Sequence, residues 1–409
     1  MTTRRLRVGL ATVTAAVGAA LAAALVGCTA AGPTRGPAPV APPAAEPLRV
    51  TPLAAATLPT DVPGVGRVGG LSALVFDPRP AQDTDSPDAP TPIRLLAVSD
   101  RPGTPAVYEL ALELRPPAAD PSGEWALSGR TVREHALAGA PAADAEGIAV
   151  LPLTGAAAGS PPALFVSYEA PPTVAAAGVP GFAEPARAPS FPTPRAILRG
   201  VRPNRGYESL AVAAGADGPV VWTATESAIE SDGPEATRDA GARCRVLRYT
   251  PGADRPDTFL YRTAPAPAGL PGTFAITSLA ELLALPDGRL LALERSFAIP
   301  RGYDARLFAI DPAKARRDAT ADADSADAPG PVLDKTPVAS LRALGVAPLG
   351  NVEGLALGPL LAQLTGDPAH TGRLLLLIAD DNFGRDPQPP NQVIALRVEG
   401  VGAKERARR

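Results

Sequence analysis

Histidine is nearly missing from this chain: in 409 residues only His135 and His370 occur. His370 sits in the turn-like GDPAHTGR, and His135 falls in a segment expected to be an outer strand, so both read as surface or packing residues. With no G-x-S-x-G elbow either, a Ser-His-Asp hydrolase has few candidates. Two cysteines, Cys28 and Cys244, supply no Cys/His spacing of the metal-binding type, and neither a P-loop nor a dinucleotide glycine fingerprint is present. Trp125 and Trp222 are too few for a sugar-stacking platform. A net charge of -3 argues against nucleic-acid binding. Lysine is confined to Lys314, Lys335 and Lys404; its displacement by arginine, beside abundant Ala and Pro, reads as codon bias.

What is present begins with the N-terminus. Residues 1–28 combine a basic start (Arg4, Arg5, Arg7), an apolar stretch from Val8 to Val26 and the tetrapeptide Leu25-Val26-Gly27-Cys28. This is the pattern of a secretory signal ending in a lipobox, whose cysteine is acylated to become the mature N-terminus. An uncleaved membrane anchor is the competing reading, but no charged stop-transfer segment follows. The expectation is a bacterial envelope protein, tethered by lipid at Cys28, with its body outside the cytoplasm. Residues 29–47 form a Pro/Ala-rich linker that reaches roughly 50 Å at about 3.1 Å per residue. Residues 48–400 are the folded body and 401–409 a basic tail. With Cys28 lipidated, Cys244 in CRVLRY has no partner within the chain and reads as a buried thiol.

A body of that length exceeds one ordinary core unless the core is repeated. The phrase EGLALGP (353–359) is echoed by GLSALVFDP (70–78), EGIAVLP (146–152), ESLAVAA (208–214) and SLAELLALPDG (278–288). Each is followed by a second phrase: IRLLAVSD, ALFVSYE, VVWTATE, RLLALE and RLLLLIADD, ending in Asp100, Glu169, Glu226, Glu294 and Asp380-Asp381. A third phrase follows at 106–114, 195–200, 244–252, 305–312 and 392–400, and outer strands are expected at 131–137, 258–263 and 336–341. These apolar runs of four to eight residues, bounded by Gly, Pro or Asp, are strands rather than helices. The spacing suits four-stranded blades of a β-propeller, in which equivalent positions converge on one axis. An all-β sandwich gives no reason for an acid to recur at one strand end. Five blades can be counted, or six if 48–58 joins the C-terminal strands to close the ring. Segments 79–92, 153–162, 170–194 and 313–334 read as surface loops.

Glu146, Glu208 and Glu353 open first strands, while Asp100, Glu169, Glu226, Glu294 and Asp380 close second strands. Both sets therefore face one mouth of the channel. Carboxylates brought so close need cations to remain ionised, and calcium takes six to eight oxygen ligands. Each acid could instead cap its own blade or pair with an arginine. Arg67, Arg101, Arg205, Arg295 and Arg385 lie beside the same strand ends and could offer bidentate donors to an anion. Acids for a metal with arginines for phosphate are the equipment of metal-dependent phosphoester hydrolysis.

In order, GGLSAL (69–74), LLAVSDR (95–101), AEGIAV (145–150), NRGYESLAV (204–212), ITSLAELLALPDGRLLALERSF (276–297), NVEGLALGP (351–359) and LLLIADDNF (375–383) resemble the family named for the esterase-like activity of phytase. Departures are Ser209, where other copies have Gly, and Ala379, where Ser is common. The resemblance spans about 65 to 400 and implies a propeller, an extracytoplasmic setting and a hydrolase. It implies metal roles for Asp100, Glu146, Glu208, Glu353, Asp380 and Asp381, and phosphate roles for Arg101, Arg205 and Arg295. The expectation is a monomeric, calcium-dependent hydrolase of phosphoesters or related esters acting on a small anionic substrate. The alternative is a non-catalytic propeller that binds a small ligand or an envelope partner.

Overall fold

A computed structural model describes residues 45–80, 92–101, 103–117, 123–137, 144–153, 159–316, 330–384 and 389–402. The signal segment, Cys28, most of the linker, Arg385 and most of the basic tail lie outside the described residues.

The second-strand phrases become the most deeply buried elements, with Ala163–Tyr168 buried throughout and Arg373–Asp380 buried at all but its first residue. Their uninterrupted apolar runs follow from being covered on both faces, whereas the outer strand Ala126–Ala136 is exposed at most alternate positions. Blade 1 contains Leu71–Phe76, Ile93–Ser99, Ala106–Arg115 and Ala126–Ala136, and blade 4 contains Ala275–Ala284, Leu290–Ala298, Gly302–Ile310 and Lys335–Ser340. Blade 3 contains Tyr207–Gly215, Gly218–Ala228, Arg243–Tyr249 and Asp257–Arg262, with the short Val332–Leu333 added parallel to its edge. The first strand of each blade touches those of both neighbours, which closes a ring around the axis.

Five blades make the ring. The segment near 48–58 does join the C-terminal strands, as expected, but it does not create a sixth blade. Arg49–Thr57 pairs antiparallel with Gln392–Glu399 as the outermost strand of blade 5, beside Arg373–Asp380 and Asn351–Leu360. The two ends of the body are thereby hydrogen-bonded in one sheet. Five apolar clusters, one between each pair of adjacent blades, replace a single core. That is how a body of this length stays filled.

Blade 2 departs from expectation. It has three strands, Ala145–Leu151, Ala163–Tyr168 and Thr173–Ala177, and the third lies inside the segment expected to be a loop. RAILRG, expected to be that strand, is a short helix, Arg195–Gly200, which begins directly after Pro194 and buries Ile197. Proline fixes a φ suited to a helix start, and the six-residue run lacks the length that separates a strand from a helical turn.

Candidate functional site

In every blade the first strand carries a register shift against the second at the same level. The pairing runs Leu71↔Ser99 to Ala73↔Val98 in blade 1, and Tyr207↔Thr225 to Ser209↔Ala224 in blade 3. It runs Leu279↔Glu294 to Glu281↔Leu293 in blade 4, and Val352↔Ala379 to Gly354↔Ile378 in blade 5. In blade 2, Ala145↔Tyr168 gives way to Ile148↔Val166 across Glu146 and Gly147. The bulged residues are Ser72, Glu146, Glu208, Ala280 and Glu353. A bulge leaves its extra residue unpaired and re-aims the side chain, here toward the channel. The three glutamates are buried to nearly the same extent, at 6–7 % exposure.

The Glu-Gly phrase now has a physical reason. A Cβ on Gly354 would lie 2.6 Å from the Ala73 Cα of blade 1, and one on Gly147 would lie 2.7 Å from the Leu210 backbone N of blade 3. The position after the bulge is where neighbouring inner strands approach most closely. Blade 4 places Glu281 there, and its carboxylate accepts from the backbone N–H groups of Leu210 and Leu282.

A second tier follows from the same register. The residues next after the second-strand partners of Leu71, Ala145, Tyr207, Leu279 and Val352 are Asp100, Glu169, Glu226, Arg295 and Asp380. Four blades contribute an acid and blade 4 contributes a guanidinium. Arg295 donates to Glu226 at 2.6 Å and also to Glu353, whose Oε1 accepts from Asn351 Nδ2 at 2.6 Å. Arg205 donates to Glu226 at 2.8 Å and to Glu235 at 2.7 Å. Glu226 is therefore held between two arginines.

Glu294, expected to converge with the others, does not. It stands one residue out of phase with the strand-end tier, and one position in a strand turns the side chain to the opposite face. It lies between blades 3 and 4, accepting from Tyr261 Oη at 2.6 Å, Ala264 N at 2.9 Å and the Lys335 ammonium.

The two tiers open into a cavity of about 680 Å³. Asp100, Glu146, Glu208, Glu226, Glu353 and Asp380 line it, together with Asp144, Asn351, Arg205 and Arg295. Burial and the neighbouring carboxylates push Glu146 and Glu208 well above the ordinary carboxyl range. Burial likewise raises Glu353, against the pull of Arg295. Burial and Glu226 push Glu169 up to about 7, and burial pushes Asp380 up to about 6. Glu169, Glu208 and Glu226 each offer an oxygen within 4.8 Å of the others. Glu169 Oε1 is buried and accepts no hydrogen bond. A buried set of oxygen donors with an orphaned acceptor fits a hard divalent cation.

The family model described as esterase-like activity of phytase matches residues 66–383, which include both tiers. The chain belongs to this phytase-like family. No curated protein matches it. The family description supports a function of the hydrolase type, which the acid-lined cavity of this phytase-like propeller can host.

The structure separates the expected site residues into two groups. Asp100, Glu146, Glu208, Glu353, Asp380, Arg205 and Arg295 meet around the cavity. Asp381 does not line it: its carboxylate accepts from Gly70 N at 3.3 Å and Phe383 N at 3.1 Å, closing the chain between blades 5 and 1. Arg101 turns outward to Glu134 at 2.5 Å and to the Thr104 carbonyl at 3.0 Å. Arg67 donates to the Phe383 carbonyl at 2.5 Å. Both histidines also lie elsewhere, His135 on Glu109 at 2.8 Å and His370 against the Trp125 ring at 4.9 Å.

The ligand-set membership of Glu169 and Glu226 was visible only as strand-end acids. The cavity's apolar side, Phe274, Ile276, Phe297 and Tyr303, carried no signal, since Phe274 and Ile276 stand more than 20 residues before Phe297 and Tyr303 in the chain.

Proposed function

We propose that this propeller is a calcium-dependent hydrolase of phosphoesters or related esters. The observation that carries this reading is the meeting of two tiers of acids from four blades with Arg295 of blade 4 and with Arg205, which precedes the first strand of blade 3. Glu169, Glu208 and Glu226 would hold the cation, with Glu146 beside them. A bound calcium ion would supply Lewis-acid polarisation of the ester and relieve the repulsion among the acids. Arg295 positions Glu226 and Glu353 from opposite sides. Asp380, which lines the cavity with a carboxyl pushed up to about 6, is placed to accept a proton at neutral pH.

We further propose, on the signal and lipobox pattern of residues 1–28, that the protein resides in the bacterial envelope outside the cytoplasm. It would be monomeric, anchored by lipid on Cys28, with a small molecule rather than nucleic acid as its partner. A second reading, a non-catalytic propeller that binds a small ligand, draws on one observation: both cavity guanidiniums are already engaged by carboxylates.

The test measures bound calcium and then turnover of phytate, an aryl phosphate and an aryl ester, with and without EDTA. Bound calcium with EDTA-sensitive turnover that Glu208→Gln abolishes supports the hydrolase. Calcium bound without turnover of any of the three rejects catalysis and leaves the binding propeller.

A further inference from the structure

The cavity is built asymmetrically. Arg295 and Phe297 lie two residues apart on the second strand of blade 4 and therefore share a face, and both line the cavity. Phe297 is paired across the sheet with Ile276 on one side and Tyr303 on the other. Its ring lies 4.9 Å from that of Tyr303 and 6.3 Å from that of Phe274. Phe274 is 60 % exposed. An exposed aromatic ring continuous with an apolar wall of a polar cavity marks a binding surface.

The opposite walls carry the acids. Among the described residues, Arg205 and Arg295 are the only basic side chains lining the cavity, and carboxylates engage both. Seven carboxyls line the cavity against two guanidiniums that are already engaged, so a polyanion gains no free donor there, and the repulsion that a bound calcium ion leaves uncompensated grows with the charge of the ligand.

We propose that the cavity selects a low-charge ester with an apolar group next to the reacting centre. The reacting group lies over the acid tiers, the apolar group lies on the Phe274–Phe297–Tyr303 wall, and polyphosphates are disfavoured. This rests on the hydrolase reading for the word ester, while the apolar subsite itself does not depend on turnover.

Two non-hydrolysable probes of equal charge separate the possibilities. Binding of phenylphosphonate and methylphosphonate to the calcium-loaded full-length protein is measured by calorimetry, with inositol hexaphosphate as competitor. The phenyl compound is expected to bind about tenfold more tightly, as an aromatic group gains on such a wall. Phe274→Ala, at an exposed position compatible with folding, should erase most of that preference while leaving the methyl compound unaffected. Equal affinities, a preference that survives both Phe274→Ala and Phe297→Ala, binding of neither phosphonate, or stronger binding of inositol hexaphosphate would overturn the proposal. Turnover of 4-nitrophenyl phosphate is followed in parallel. Its absence together with that of 4-nitrophenyl acetate turnover, with the phenyl preference intact, rejects the hydrolase and keeps the apolar subsite.

Discussion

Replacing Arg295 by methionine tests the idea that blade 4 supplies the counter-charge for the whole ring. The side chain is 16 % exposed and bridges Glu226 of blade 3 to Glu353 of blade 5. After the change Glu226 still has Arg205 at 2.8 Å, whereas Glu353 keeps only the amide of Asn351. Removing one partner from a buried ion pair costs about 3–5 kcal/mol, because a charge is left without compensation. With about 2.1 cal/mol/K of unfolding entropy per residue over a body of roughly 350 residues, each kcal/mol moves Tm by little more than about 1 °C. The expected loss is therefore about 4–7 °C for metal-free protein at pH 7.5, read by differential scanning fluorimetry in EDTA. At pH 5 the loss should shrink, since the freed Glu353 carboxyl, which burial already holds above the ordinary range, can take up a proton. A second substitution, Glu353→Gln, should recover part of it at pH 7.5. An unchanged Tm at pH 7.5, or a larger loss at pH 5 than at pH 7.5, refutes the counter-charge argument.

Four further outcomes are expected. Burial pushes the folded Glu169 carboxyl up to about 7 and that of Asp380 up to about 6, against 4.5 and 3.8 for unperturbed groups. Between those limits the folded state holds protons that the unfolded chain has released, so stability must fall as pH rises from about 4 to about 7. Metal-free Tm should thus decline over that window, and added calcium should raise Tm more at pH 8 than at pH 5; a flat profile contradicts the shifts. Glu208→Gln should lower bound calcium measured by atomic absorption, while the far-UV dichroism stays that of the parent. Gly354→Val should cost more than about 3 kcal/mol in urea unfolding, since its Cβ would lie 2.6 Å from Ala73 Cα and 3.0 Å from the Ser72 carbonyl oxygen. Arg101→Ala should leave KM for any turned-over ester unchanged and cost no more than about 1 kcal/mol, because its pair with Glu134 is partly exposed.

The propeller was legible in the sequence because first and second strands occupy the same environment in every blade and so repeat the same apolar phrases. Third strands are less constrained, and in blade 2 the phrase fails: Thr173–Ala177 reads TVAAA, without the β-branched run that marks a strand, inside a Pro/Ala-rich stretch. The acids were legible as a set, but their phase was not. LERSF offers Glu294 and Arg295 side by side, and only the pairing Leu279↔Glu294 shows which of them enters the tier. The same limit applies to Asp380 and Asp381, neighbours of which one lines the cavity and the other closes a loop. The aromatic wall was hidden because Phe274, Phe297 and Tyr303 become neighbours only through the sheet of blade 4.

Blade 4 differs from the others at both tiers, and the two differences act together. Ala280 stands where three blades place glutamate, and Arg295 stands where four blades place an acid. A ring carrying acids at all ten positions would have no internal counter-charge and no direction. The small side chain at the bulge keeps a further carboxyl out of that fifth of the channel, and the arginine ties the acids of blades 3 and 5 to it. Phe297, two residues beyond Arg295 on the same face, then extends this sector into an apolar wall. A nearly five-fold skeleton thereby yields a cavity with one charged side and one apolar side. On the proposed hydrolase reading a ligand would be oriented by this single blade, so exchanging Phe297 should alter which esters are accepted more than exchanging any one acid does. Activity ratios between an aryl and a methyl ester of the same acid would measure this: Phe297→Ala should collapse the ratio, Glu146→Gln should lower both rates together, and the reverse pattern would show that the acids, not the wall, orient the ligand.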